Sequence, residues 1–235
     1  MCGRFVASRD PMDLADAFDV HEVPERVLPP NYNVAPTQDV SIVRVRDDVR
    51  VLDIARWGLV PSWATSPSIG NRMINARAET VAQKPAYRSS FATRRCLVAA
   101  DGFYEWQAPA SSGAGKVPYY LHPADGSVLA MAGLFALWRD PHVGDEDDPA
   151  AWLLSTTIVT TAATGSVADI HERSPVPVAP SLWEEWLDPQ VPGGDVLPRV
   201  LIAPPAGYWQ IYPVSTAVNS PRNNSADLVT AVTSG

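Results

Sequence analysis

Prolines stand at 23 of the 235 positions, about twice their usual share, and they are scattered along the whole chain. Each lacks a backbone N–H and clashes inside a helix, so such a chain has room for short helices only. Short strands separated by well-defined turns are the alternative. Apolar patterning predicts strands over residues 40–46 and 51–57, joined around Asp47-Asp48 as a hairpin. Further strands are expected over 95–98, 103–107, 117–122, 128–138, 152–160 and 208–214. Short helices are expected over 11–19, where Asp10 caps and Pro11 takes the first helical position. Others are expected over 181–187, 225–232, 79–91 (interrupted at Pro85) and 162–170, the last delivering His171. Residues 108–115 and 142–149 read as surface loops too short to link domains. The sum is one α+β domain, residues 1–235, around a curved, mainly antiparallel sheet with short helices outside it.

The net charge of −8 argues against a nucleic-acid partner until its distribution is considered. Residues 56–106 carry seven basic and three acidic groups, and both flanking stretches are acidic. All basic residues except Lys84 and Lys116 are arginines, whose planar fork suits phosphate oxygens. No apolar run approaches the roughly 18 residues of a membrane span, so no membrane partner is expected. The start, Met1-Cys2-Gly3-Arg4-Phe5, has no apolar signal core, so a cytoplasmic protein is expected, with Cys2 and Cys96 as thiols. Two cysteines and four histidines show no zinc spacing, and no glycine-rich phosphate loop precedes a helix. Neither a metal nor an organic cofactor is expected.

Four segments carry candidate chemistry. Cys2 follows the initiator methionine, and a small second residue permits its removal. The exposed α-amine then lies beside the thiol, so that an aldehyde condenses with the first and ring-closes with the second. Arg4 is a fixed positive charge two residues away, suited to a phosphate or to the thiol. Asn75, before Arg77 and after Arg72, is an uncharged donor and acceptor, or else the cap of the helix expected near Glu79. In Gly102-Phe103-Tyr104-Glu105-Trp106, strand alternation puts Glu105 on the face of Phe103, where desolvation raises a carboxyl pKa into the range of a proton shuttle. His171 is an acid or base near neutral pH, with Arg173 two residues on.

Together these segments resemble the SOS-response-associated peptidase family, whose members process abasic sites in DNA. The likeness runs through the N-terminal five residues, Asn31-Tyr32-Asn33-Val34-Ala35-Pro36-Thr37-Gln38, Arg56-Trp57-Gly58-Leu59-Val60-Pro61-Ser62-Trp63, residues 75–80, Arg95-Cys96-Leu97, residues 102–106, Tyr212-Pro213-Val214-Ser215 and Val218-Asn219. Two positions depart from the pattern: Ser174 precedes Pro175 where methionine is usual, and Ala99 stands where proline is commoner. The resemblance implies a barrel-like sheet and a thiazolidine crosslink between Cys2 and the opened sugar of an abasic site in single-stranded DNA. It also implies that Asn75 orients the reactants, Glu105 shuttles protons and His171 is a second acid/base. Arg4, Arg72, Arg77 and Arg173 are then the phosphate contacts, and Trp57, Trp63 and Trp106 stack on bases or shape the groove. A monomer working at damaged DNA is expected. Two other readings of the same residues stand beside it: a cysteine peptidase using Cys2 with His171 and Glu105, and a non-catalytic single-strand binding module of arginines and tryptophans.

Overall fold

The computed structural model describes residues 2–109, 115–143, 145 and 148–232. In chain order the elements are β1 (Phe5–Ala7), α1 (Pro11–Phe18), β2 (Asn31–Val34), β3 (Asp39–Arg46), β4 (Val49–Trp57), β5 (Asn75–Arg77), α2 (Arg88–Thr93), β6 (Arg95–Ala100), β7 (Gly102–Gln107), β8 (Val117–Pro123), β9 (Leu129–Arg139), β10 (Trp152–Ala162), β11 (Arg173–Pro175), α3 (Trp183–Leu187), α4 (Gly193–Val200) and β12 (Trp209–Pro213), with short 3₁₀ turns between them. Five strands close on themselves in the order β10-β4-β3-β6-β9, with β9 returning to β10. The other five-stranded sheet runs β12-β8-β7-β1-β2 and is antiparallel throughout. Among the described strands, the parallel pairings are β10 with β4 and β10 with β5, so the sheet is mainly antiparallel and barrel-like.

Alternation along the strands divides the core. Ile42, Cys96, Val98, Met131 and Ile158 pack with Cys2, Phe5, Phe103 and Leu121 of the second sheet. Val43, Leu97, Ala132 and Leu134 point the other way, onto Leu14, Phe18, Phe91, Trp186 and Val196 of the helices. Strands β6 and β9 are thus buried on both faces, in keeping with their near-continuous apolar sequence. Arg95 locks the helical layer to the ring. It is 2% exposed and donates to the carbonyls of Trp186 (2.7 Å), Phe91 (3.0 Å), Ala92 (2.7 Å), Val191 (2.8 Å) and Asp188. The two departures from the family pattern both lie in strands: Ala99 pairs with Ala130, and the Ser174 hydroxyl donates to the Pro175 carbonyl at 2.9 Å.

The hairpin forms where predicted, with Asp47 and Asp48 both at positive φ (51° and 62°). That is the backbone a two-residue turn needs to match the strand twist. The helix at Pro11 forms with the Asp10 carboxylate accepting from Met12 N–H and ends on Asp19 in the left-handed region. Other expectations fail for local reasons. Of the helix expected over 79–91, α-helix forms over Arg88–Thr93 only, because residues 75–77 are drawn into the sheet by β10 and Pro85 interrupts the stretch beyond them. No helix spans 162–170. Strand β10 runs to Ala162 and a 3₁₀ turn over Gly165–Val167 leads to His171. Residues 225–232 give a 3₁₀ turn over Ala226–Val229. Strands β1, β2, β5 and β11 are three or four residues long, too short to show a period, and α4 holds two glycines and Pro198. Of the expected loops, residues 110–114, 144, 146 and 147 lie outside the described residues. Among the described residues no helix is long and apolar enough to cross a membrane.

Candidate active site

The site grows from the first strand. Phe5 pairs with Phe103, and Tyr104 N–H donates to the Arg4 carbonyl at 2.9 Å, so residues 2–4 are laid along β7. Cys2 ends up fully buried, in the same cluster as Phe103. Tyr104 goes to the opposite face and Trp106 packs there with it, as strand alternation demands, leaving Glu105 on the side of Phe103 and Cys2. Asn75 comes from the facing side. Strand β5 runs parallel to β10 with Asn75 opposite Ile158, and its Nδ2 donates to the Cys2 carbonyl at 2.8 Å. The Asn75 Oδ1 is buried and accepts no hydrogen bond from the described residues, which leaves a fixed acceptor next to Cys2. Asn75 is therefore a strand residue holding the N-terminal segment, not a helix cap. Its own carbonyl accepts from the Tyr87 hydroxyl at 3.1 Å. Upstream of this segment Gly58, at φ +128°, lets the chain pass close to Gly70, where a Cβ would lie 2.4 Å from the Gly70 carbonyl oxygen.

His171 completes the group. Its Nδ1 lies 2.9 Å from the Arg173 N–H and 3.2 Å from the Arg173 carbonyl. The amide can only donate and makes the shorter contact, so Nδ1 accepts and the neutral ring carries its proton on Nε2. That nitrogen faces Glu105 Oε2 at 3.9 Å. Glu105 is 3% exposed, and burial pushes its carboxyl above the usual range, with the nearby His171 pulling the other way. Burial also pushes the Cys2 thiol up, and the Glu105 charge adds to it, so Cys2 rests as a thiol and not as a thiolate. Gln107 Nε2 donates to the Asp169 carbonyl at 2.8 Å and so ties the His171 loop to β7. Cys96 is also a free, buried thiol, 3.5 Å from the Thr156 hydroxyl.

Around this cluster the expected DNA contacts fall into three sets, with Trp57 apart from them. Arg4 is turned inward as a clamp: Nη1 donates to Asn33 Oδ1 (2.7 Å) and the Val218 carbonyl (2.9 Å), with the guanidinium 5.9 Å above the Trp106 ring. Trp106 Nε1 donates to Asn219 Oδ1 at 2.7 Å, which anchors the indole beside Arg4. Arg77, at the end of β5, is exposed, and Arg173 is held by Glu79 and Thr160. Trp63 (57% exposed) and Arg72 line a separate depression with Asn71 and Ser66. Trp57 is the correction. It is 0% exposed, its Nε1 donates to the Ile74 carbonyl at 2.9 Å, and its ring packs edge-on against Phe5 at 4.9 Å. A fully buried indole has no face left for a base, so Trp57 shapes the bed of the N-terminal segment instead. Among the described residues no group of three or more His, Cys, Asp or Glu is arranged to hold a metal.

Sequence reasoning passed over Asn33, Tyr87, Gln107 and Glu79. Asn33 is 1% exposed and donates to the Ser220 and Asn223 carbonyls while accepting from Arg4. Asn33 and Glu79 lie inside segments that carry the family resemblance, and there the signal was present. Gln107 and Tyr87 act through contacts with residues distant in the chain, which leave no local trace.

The model of the SOS response associated peptidase family matches residues 1–221. The chain belongs to that family. Within the SOS response associated peptidases it is 39% identical to abasic site processing protein YoaM of Bacillus subtilis, covering 98% of both chains. It is 33% identical to abasic site processing protein YedK of Escherichia coli, over 99% of this chain and all of that one. A solved structure of a phage-related protein from Bordetella bronchiseptica superposes with a TM-score of 0.67 at 32% identity, covering 91% of this chain and 94% of that one. A protein from Bacteroides thetaiotaomicron shares the fold at a TM-score of 0.84 and 23% identity, over 99% and 100% of the two chains.

Proposed function

We propose that this protein processes abasic sites in single-stranded DNA by covalent capture on Cys2. The observation that carries the reading is the convergence of one buried N-terminal cysteine with Asn75, Glu105 and His171, from three other parts of the chain. The relatives' shared description as abasic site processing proteins supports it.

Chemistry starts once the Met1–Cys2 peptide bond is hydrolysed, which consumes one water and frees the α-amine of Cys2. The opened sugar of an abasic site presents an aldehyde. The amine adds to its carbon, and the carbonyl oxygen leaves as water to give an imine. The thiol sulfur then bonds to that carbon while its proton passes to the imine nitrogen, closing a thiazolidine ring with no change of oxidation state. Asn75 contributes a fixed donor at the Cys2 carbonyl and a free acceptor for the reacting amine. Glu105, its carboxyl pushed above the usual range by burial, takes and returns the protons of carbinolamine loss and ring closure. His171, with its Nε2 proton toward Glu105, is the second acid/base. Because Cys2 rests as a thiol, sulfur attack waits for this local proton transfer. We further place the protein in the cytoplasm as a monomer that meets the strand with Arg77, Arg72 and Trp63 at its surface.

The deciding test is a denaturing gel of protein incubated with a single-stranded oligonucleotide carrying one abasic site, beside Cys2→Ala. A heat-stable shifted band is expected for wild type alone, absent with intact DNA, and absent when the α-amine is chemically blocked with the thiol intact. No band from protein that mass spectrometry shows to lack Met1 would sink the reading.

A further inference from the structure

Arg173 donates from Nη1 to Glu79 Oε1 at 2.6 Å and from Nη2 to Glu79 Oε2 at 3.0 Å. This is the paired fork with which arginine also grips a phosphate. The two partners are unequally held. The Arg173 side chain is 12% exposed and anchored by a further bond from Nη2 to the Thr160 carbonyl at 2.7 Å, while Glu79 is 49% exposed. If the pair opens, the carboxylate has solvent to move into and the guanidinium does not. Arg77, two residues before Glu79, is exposed, and its positive charge also acts on the carboxylate. Glu79 therefore fills an anion seat framed by two arginines.

We propose that Glu79 is a specificity-determining residue: in the DNA-free protein its carboxylate occupies the seat of a backbone phosphodiester and has to be displaced before a strand settles. The inference rests on the reading above and extends it, adding Arg173 to Arg77 as a phosphate contact. A strand with intact bases exchanges one carboxylate contact for one phosphate contact and gains little. An abasic strand makes the same exchange and is then held by the bond at Cys2. Glu79 thus lowers retention of undamaged single strands and leaves the lesion to supply what holds the complex together.

The test compares wild type, Glu79→Gln and Glu172→Gln, the last removing the same charge from an exposed residue nearby. Affinity for an intact, fluorescent single-stranded oligonucleotide is read by anisotropy. Glu79→Gln is expected to bind about two- to fivefold tighter than wild type, the range set by the strength of an exposed ion pair. Glu172→Gln is expected to show a clearly smaller gain. In the presence of excess intact strand, capture of an abasic oligonucleotide should be inhibited more strongly in Glu79→Gln than in wild type. Binding by Glu79→Gln that is equal to or weaker than wild type, or a gain matched by Glu172→Gln, overturns the proposal. Weaker binding would mean that Glu79 merely holds Arg173 in shape. Failure of the covalent reading is seen separately, as absence of the heat-stable band in wild type, and the affinity comparison on intact DNA still decides the role of Glu79.

Discussion

Glu105 sits where a carboxylate charge is costly, with 3% of its surface exposed and His171 Nε2 3.9 Å away. Its folded-state pKa is raised by burial, so over a window above the ordinary carboxylate value of about 4.3 the folded protein keeps a proton that the unfolded chain has lost. The stability this contributes is fully present below the unfolded-state value and is lost as pH rises through the folded one. Glu105→Gln, permanently neutral, should therefore unfold at a higher temperature than wild type at neutral pH and lose the corresponding fall in stability. The same variant should form the abasic crosslink at least about tenfold more slowly, since a positioned proton shuttle contributes about a hundredfold or more. Calorimetry across pH and a gel time course check the two halves. A variant that is less stable at neutral pH would show that the carboxylate is held ionised by its neighbours.

At the level of elements, the β3–β4 hairpin carries a local conflict in its turn. Asp47 and Asp48 both adopt left-handed backbone, which aspartate tolerates better than most L-residues but only glycine adopts without penalty. The strands they join carry Trp57 to the bed of the N-terminal segment, so the turn is accepted for the register it sets. Asp48→Gly should raise stability by about 1 kcal/mol, measured by urea unfolding, and leave crosslinking unchanged. Helices α2 and α3 show the opposite case, with six and five residues and too little intrinsic helicity to stand alone. Tertiary packing on β6 and β9 maintains them.

At the level of the molecule, Arg95 joins the helical layer to the closed ring of strands through carbonyls from α2, α3 and the segment after α3. Arg95→Met keeps apolar volume but strands several buried acceptors, and a loss of at least about 3 kcal/mol is expected in urea unfolding. Covalent capture by the fraction still folded should persist, because Arg95 lies on the side of the ring away from Cys2.

The sequence alone determined much of this protein. Proline spacing and apolar alternation predicted the long strands, since period two is written into neighbouring residues. The alternation within residues 102–106 placed Glu105 on the Phe103 face, the ordered motifs named Cys2 and Asn75, and the chemistry of histidine singled out His171. What the tertiary structure alone decided is how those residues meet. Asn75 became a strand residue because β10 offered it a partner, and nothing within its own segment encodes that pairing. Trp57 was placed in the core because Phe5 and Ile74 close over it. Glu79 was brought onto Arg173, ninety-four positions away, by the same β10 strand that pairs with both β5 and β11. Such contacts depend on which elements become neighbours, and that choice is made by burying both faces of a closed sheet at once, a constraint that acts on the whole chain and leaves no mark at any single position.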